Sequence, residues 1–427
     1  MKTAYVNGKV LSGRPDMVPE EGLVIIVDGE KIVSVAPKAE SDLTGCEIYD
    51  LAGRYIMPGL INMHVHIPGS GKPTKKPTDT KKVVKLATSN GLTRKYVEVM
   101  YKNYVKTELF SGVTTLRSVG GIEKYDTWIR DLVAAGKVPG STILAGNMAV
   151  SVPGGHMAGS LAYEATTPEE AAFFVEKIAA DKPDIIKLMI TGGVLDATER
   201  GEPGVLKMKP ELVRAACDRA HALGYRVAAH VESPEGVRVA LANGVDTIEH
   251  GAKPDDDIIR LFKERGAAEI VTISPALPYA LFDLSVSNCG EMAQFNGRVV
   301  FDGIIECGKK CLENGIPVGM GTDTGCPFIT HYDMWREVNY FAKYLNVSRA
   351  FALYSATLGN AKIAGIDDVT GSIEAGKRAD MIVCDRNPLE DLTVLRNLYA
   401  VIARGKRYDK PVVKKMPQVE AELDKFI

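Results

Sequence analysis

Short runs of Val, Ile and Tyr, broken by Gly-containing turns, open the chain, and the same texture returns at its far end. Thr3–Ser12, Leu23–Ala36 and Glu47–Ile56 read as strands, with Asp28-Gly29 marking a turn. Ala379–Asp385 and Leu398–Lys406 read the same way, and Asn387-Pro388 marks a turn between them. Two β-rich ends around a different middle predict one small β-sandwich built from residues 1–56 and 365–427.

Residues 57–364 alternate between apolar strand-like runs and segments with helical spacing. Eight strand candidates occur: Ile56–His64, Thr114–Val119, Ser141–Val150, Ile185–Met189, Arg226–His230, Thr247–His250, Ile270–Ser274 and Pro317–Thr322. Pro168–Ala180, Lys209–Leu223 and Pro234–Ala242 read as helices, each with Pro at its first turn. Repeated βα units imply a parallel sheet, and eight of them predict an α/β fold closed as a (β/α)₈ TIM barrel. The alternative is an open doubly wound sheet, whose GxGxxG fingerprint after the first strand is absent. One segment, Ile67–Lys106, breaks the rhythm. It carries Lys72, Lys75, Lys76, Lys81, Lys82 and Lys85. As a long connection after a barrel strand it lies on the catalytic face, as a lid, a solvated helical insertion or an oligomer contact.

The chain has 427 residues, 45% hydrophobic and 25% charged, with net charge −2. That length fits a large barrel with an accessory domain, and the charge gives no bias toward nucleic acid or membrane. The N-terminus has no apolar h-region, so no signal peptide is expected. The seven cysteines are scattered and form no CxxC pair, which predicts reduced thiols and a cytoplasmic location. Cys307 and Cys311, four apart in a helix, are expected as core thiols rather than ligands.

Only seven histidines are present, and their placement carries the chemistry. His64 and His66 end the first barrel strand as His-Val-His. Positions i and i+2 of a strand face one way, so both imidazoles can reach one metal. His230, His250 and Asp323 also fall at strand ends, where barrel enzymes place catalytic groups. Lys187 sits inside the apolar run Ile185–Met189. A buried Lys is costly unless paired or modified, and it loses its charge readily. As a neutral amine it can take up CO₂ to give a carbamate whose two oxygens can bridge metals. An ion-paired or snorkelling Lys is the alternative.

The residues Met57-Pro58-Gly59-Leu60-Ile61-Asn62-Met63-His64-Val65-His66, Gly112-Val113-Thr114-Thr115, Lys187, His230, His250-Gly251, Thr322-Asp323 and Gly371–Asp380 form an ordered set. In this set the chain resembles the amidohydrolase superfamily over nearly its whole length. Lys187–Gly193 and Ala229–Gly251 resemble the imidazolonepropionase-related branch, which includes Xaa-Pro dipeptidases, arginine/lysine carboxypeptidases and ochratoxin amidase. The resemblance implies two divalent metals, with Zn²⁺ favoured. His64, His66 and Asp323 would hold one, His230 and His250 the other, and carbamylated Lys187 would bridge both with a hydroxide. It also implies that the hydroxide attacks a peptide or amide C–N bond, with Asp323 moving the proton and His156 polarising the carbonyl. His331 is a candidate substrate contact, and Arg200 and Tyr279 are candidate carboxylate clamps on loops after strands four and seven. Ser118 departs from the branch, which often has Asp after Arg117, at what reads as a loop position. Glu232, two residues past His230, stands near the acidic proton shuttle of nucleobase deaminases, whose mononuclear sites lack a counterpart of Lys187. The implied substrate is a small or dipeptide-like molecule and the implied state a homo-oligomer. The competing readings are a hydrolase or deaminase of a cyclic amide, carbamate or amidine on the same barrel, and a non-catalytic relative.

Overall fold

The computed structural model describes residues 2–74 and 79–427. Lys75 and Lys76 of the basic segment lie outside the described residues. Seven parallel strands follow one another in space: Ala162–Glu164, Ala149–Ser151, Ile186–Met189, Val227–Val231, Thr247–His250, Ala268–Val271 and Val318–Met320. A second parallel set holds Thr142–Leu144, Val113–Ser118 and Leu60–Val65. The two sets meet at the mouth. The Asp323 amide donates to His64 O at 2.8 Å, and the His66 amide donates to Thr324 O at 2.9 Å. The last strand is thereby laid beside the first, and the architecture is that of an α/β (β/α)₈ barrel.

Three expected elements change shape. Ile56–His64 divides at Gly59, with Tyr55–Pro58 joining a terminal sheet and Leu60–Val65 the barrel. Ser141–Val150 divides into Thr142–Leu144 and Ala149–Ser151. Ile270–Ser274 is strand only to Val271, because helix Ile273–Leu281 begins there. The helices at 168, 210 and 234 start at the expected prolines, and Thr167 and Ser233 cap two of them.

Strands from both chain ends share one sheet. Met381–Cys384 pairs antiparallel with Tyr55–Pro58, which pairs in parallel with Lys9–Leu11. A four-stranded sheet (Lys31–Pro37, Leu23–Asp28, Lys2–Val6, Cys46–Asp50) faces it. Tyr5, Ile25 and Val27 of that sheet pack on Ile56, Met381 and Ile402 of the other.

The basic segment is not one insertion. Helix Gly91–Phe110 buries Val97, Tyr101, Val105 and Leu109 and belongs to the barrel wall. The shorter helix Thr80–Ala87 buries no residue, and Lys81, Lys82 and Lys85 line a groove of about 500 Å³ with Glu123 and Tyr163. Cys307 and Cys311 are buried, and all seven cysteines are free. Among the described residues, no helix is long and apolar enough to cross a membrane.

Candidate metal centre

Strand periodicity and two unusual backbone turns bring the expected groups together. His64 and His66 alternate with Val65, so their rings stand on one side, with centroids 5.4 Å apart. The His250 ring lies 4.8 Å from His64 and 4.7 Å from His230. Asp323 Oδ1 is 3.5 Å from His64 Nε2 and 3.2 Å from His66 Nε2. His250 and Asp323 have φ of 70° and 53°, a left-handed conformation that costs a non-glycine residue. Both sit where a strand turns into its loop, and the turn aims the side chain at the mouth. Gly321 lets the last strand approach, since a Cβ there would lie 2.4 Å from His64 N.

Each of the four imidazoles has one nitrogen anchored by the fold. His64 Nδ1 donates to Glu249 Oε2 at 2.7 Å, and His66 Nδ1 to Gly120 O at 2.8 Å. His230 Nε2 donates to Gly192 O at 3.2 Å, and His250 Nδ1 meets Thr272 Oγ1 at 2.7 Å. The other nitrogen of each ring is left over, which is how metal-binding histidines are oriented. Burial pushes His64 and His230 well below the ordinary imidazole range, and His250 down to about 4. These three rings are therefore neutral, the form that ligates a metal.

Lys187 is fully buried, and its Nζ has no hydrogen-bond partner. Burial lowers its pKa to about 8, with Arg117 adding to the effect and Glu249 opposing it. Asp323 Oδ1 is likewise buried without a hydrogen bond. Orphaned polar atoms are rare inside proteins. A lone amine and a lone carboxylate oxygen beside free imidazole nitrogens fit divalent cations and an anionic group carried by the lysine. Ligand atoms of His64, His250 and Asp323 all lie within 4.8 Å of one another.

The other expected residues are placed unevenly. His156 stacks on His230 at 4.1 Å, and its Nδ1 is 2.5 Å from Asp196 Oδ2. Burial tends to raise Asp196, but His156 and the Gly193 amide outweigh it and hold the carboxyl below its ordinary range. His331 stays away from this group. Its Nδ1 meets Glu108 Oε1 at 3.1 Å, its Nε2 donates to Gly69 O at 2.8 Å, and the ring stacks on Tyr104 at 4.3 Å. No ring nitrogen is left for a substrate. Arg200 lies on an exposed loop with its guanidinium 4.2 Å from the Phe295 ring centre. Tyr279 is in helix Ile273–Leu281 rather than a loop. Burial raises its hydroxyl, and Cys326, Cys289, Asp323 and Glu232 add to this, which puts it on the site side of the helix. Ser118 is no loop residue either. It ends strand Val113–Ser118, fully buried, and its hydroxyl bonds Asp126.

Three site residues escape the sequence reading. Arg117 Nη2 reaches both oxygens of Glu249, at 2.6 and 2.7 Å, and Glu249 in turn holds His64. The available signal was a charge within an apolar strand, the same one that marks Lys187. Asp196, which holds His156, lies forty residues along the chain with no local pattern to show it.

The amidohydrolase family model matches residues 55–408. A solved structure of a candidate prolidase from Bifidobacterium longum is similar at 34% identity and TM-score 0.88, covering 99% of this chain and 98% of that one. A Xaa-Pro dipeptidase with methionine in its active site is similar at 28% identity and TM-score 0.83, covering 96% and 100%. Ochratoxinase of Aspergillus niger is 24% identical over 222 residues, 51% of this chain and 44% of that protein, so the chain matches less than half of that relative's length. With most of its length inside the matched region, the chain belongs to the amidohydrolase family.

Proposed function

We propose that the chain is a binuclear metal-dependent hydrolase of a peptide or amide C–N bond, of the dipeptidase, carboxypeptidase or N-acyl amino acid amidase kind. The observation that carries this is the gathering of four anchored imidazoles around Asp323, in a site that also buries the orphaned Lys187 Nζ and Asp323 Oδ1. His64, His66 and Asp323 would hold one cation, and His230 and His250 the other. The Lys187 amine, neutral in an appreciable fraction near pH 8, takes up CO₂ and releases a proton to become a carbamate that would join the two. When bound, divalent ions such as Zn²⁺ supply Lewis acidity and bring the ionisation of water toward neutral pH.

The chain's own groups supply the rest. Asp323 takes a proton from the attacking water and returns it to the leaving nitrogen. His156, held through Nδ1 by the Asp196 carboxylate, would polarise the substrate carbonyl. Asp196 is then a positioning residue. The candidate prolidase and the Xaa-Pro dipeptidase favour a dipeptide-like substrate.

The test is turnover of a dipeptide and N-acyl amino acid panel by metal-depleted protein given Zn²⁺, with and without bicarbonate. Activity should return only with metal, recover faster with bicarbonate, and be lost in Lys187→Met. Full turnover by Lys187→Met, or by stringently metal-free protein, would end this reading.

A further inference from the structure

One carboxylate of the same site has no role in that scheme. Glu232 lies just beyond strand Val227–Val231, two residues after His230. Its Oε2 is sealed from solvent and has no hydrogen-bond partner. Within the site, Lys187 Nζ and Asp323 Oδ1 share that condition. One ligand atom each from His230, Glu232 and His250 lie within 4.8 Å of one another.

The backbone beneath Glu232 is built to hold it there. Its amide donates to Thr191 Oγ1 at 3.0 Å. Gly204 presses so close that a Cβ would lie 2.3 Å from the Glu232 carbonyl. A carboxylate oxygen fixed in this way needs a donor or a cation, because an unsatisfied buried acceptor is costly. A metal ion seated between the two imidazoles can touch it. Two imidazoles and a carboxylate with an open position form a known zinc ligand set.

We propose that Glu232 is a direct ligand of the metal held by His230 and His250. The assignment rests on the binuclear reading above and adds to it. The second cation is then held by three side chains of its own and does not depend on the lysine modification to stay bound.

Zinc content by mass spectrometry and zinc affinity by chelator competition test this on the wild-type chain, Glu232→Gln and Glu232→Asp, with circular dichroism as the check on folding. Wild type should hold two equivalents. Glu232→Gln should keep one at wild-type affinity and bind the other more than about 100-fold more weakly, beyond the loss expected for an outer contact. Glu232→Asp, which keeps the charge on a shorter arm, should fall between. Should the Gln variant fail to fold, cobalt-loaded Glu232→Asp decides the matter: a changed visible spectrum of the second equivalent supports ligation, and an unchanged spectrum and affinity refute it. Two equivalents at full affinity in Glu232→Gln would overturn this assignment alone, including the case where substrate preference changes. A wild-type chain that binds no metal would overturn the binuclear reading and this assignment together.

Discussion

Glu249 gathers three donors around one buried carboxylate: Arg117 Nη2, Thr247 Oγ1 at 2.7 Å and His64 Nδ1. Arg117 Nε also reaches Met63 O at 2.7 Å, so the network ties the first barrel strand, Leu60–Val65, to the sixth, Thr247–His250. Replacing Glu249 by Gln keeps the shape and removes the charge. One end of the amide then turns an N–H₂ toward Arg117 or His64, both of which are donors, in a place no water can repair. The zinc affinity of the His64 side of the site should fall about 10–100-fold, as for loss of an outer-shell partner. Chelator competition on Glu249→Gln reads it, and an unchanged affinity would reduce the network to packing. At this scale the sequence is legible where a residue type and a strand end coincide, as at His64, His66, His230, His250 and Asp323. It is opaque where partners meet from far apart. His331 is bound to Glu108, 223 residues away, and nothing near either residue announces the pair.

Elements were legible where local pattern and tertiary context agree, as at Thr247–His250 and Pro234–Ala242. The run Ile270–Ser274 shows the opposite case. Val271-Thr272-Ile273 is β-branched and reads as strand, yet a helix starts at Ile273. The cause is a side chain from another element. Glu337, on helix Met334–Leu345, accepts the Ile273 and Ser274 amides at 2.8 Å each and bonds the Ser274 hydroxyl. This carboxyl occupies the helix N-terminus that the local residues leave uncapped. Burial nevertheless pushes its pKa up to about 7, against an ordinary 4.5. The folded chain therefore holds a proton that the unfolded chain releases between those values. The associated stabilisation is complete below about pH 4.5 and is lost as pH rises through 7, a difference of about 3 kcal/mol. Urea midpoints of metal-free wild type and Glu337→Gln, taken from pH 4.5 to 7.5, should show wild type losing ground to the variant as pH rises. A constant difference across that range would mean that Glu337 does not titrate there.

Across the whole molecule, the C-terminal segment is tied to the loop that carries Asp323. Phe426 stacks on Phe282 at 5.5 Å, and Phe282 meets Phe328 of that loop at 5.0 Å. The Met416 amide donates to Tyr332 Oη at 2.7 Å. The charged part of the tie is Arg336, fully buried on helix Met334–Leu345, whose Nη2 donates to Glu420 at 2.9 Å and Asp424 at 2.7 Å. Arg396 reaches the same two carboxylates from the other side. The two acids should not be equivalent. The Glu420 side chain is 12% exposed and the Asp424 side chain 39%. Breaking a buried pair strands its partner at a cost of about 3–5 kcal/mol, whereas a solvent-screened pair contributes about 0–1 kcal/mol. Glu420→Gln should therefore lower the unfolding free energy by about 3 kcal/mol, and Asp424→Asn by less than about 1 kcal/mol. Asp333, 3.5 Å from Arg336 Nε, remains in either variant and keeps the first loss toward the low end of its range. Urea unfolding of the two variants measures the contrast, and losses below about 1 kcal/mol in both would show that the tail is held by its aromatic contacts rather than by the buried arginine.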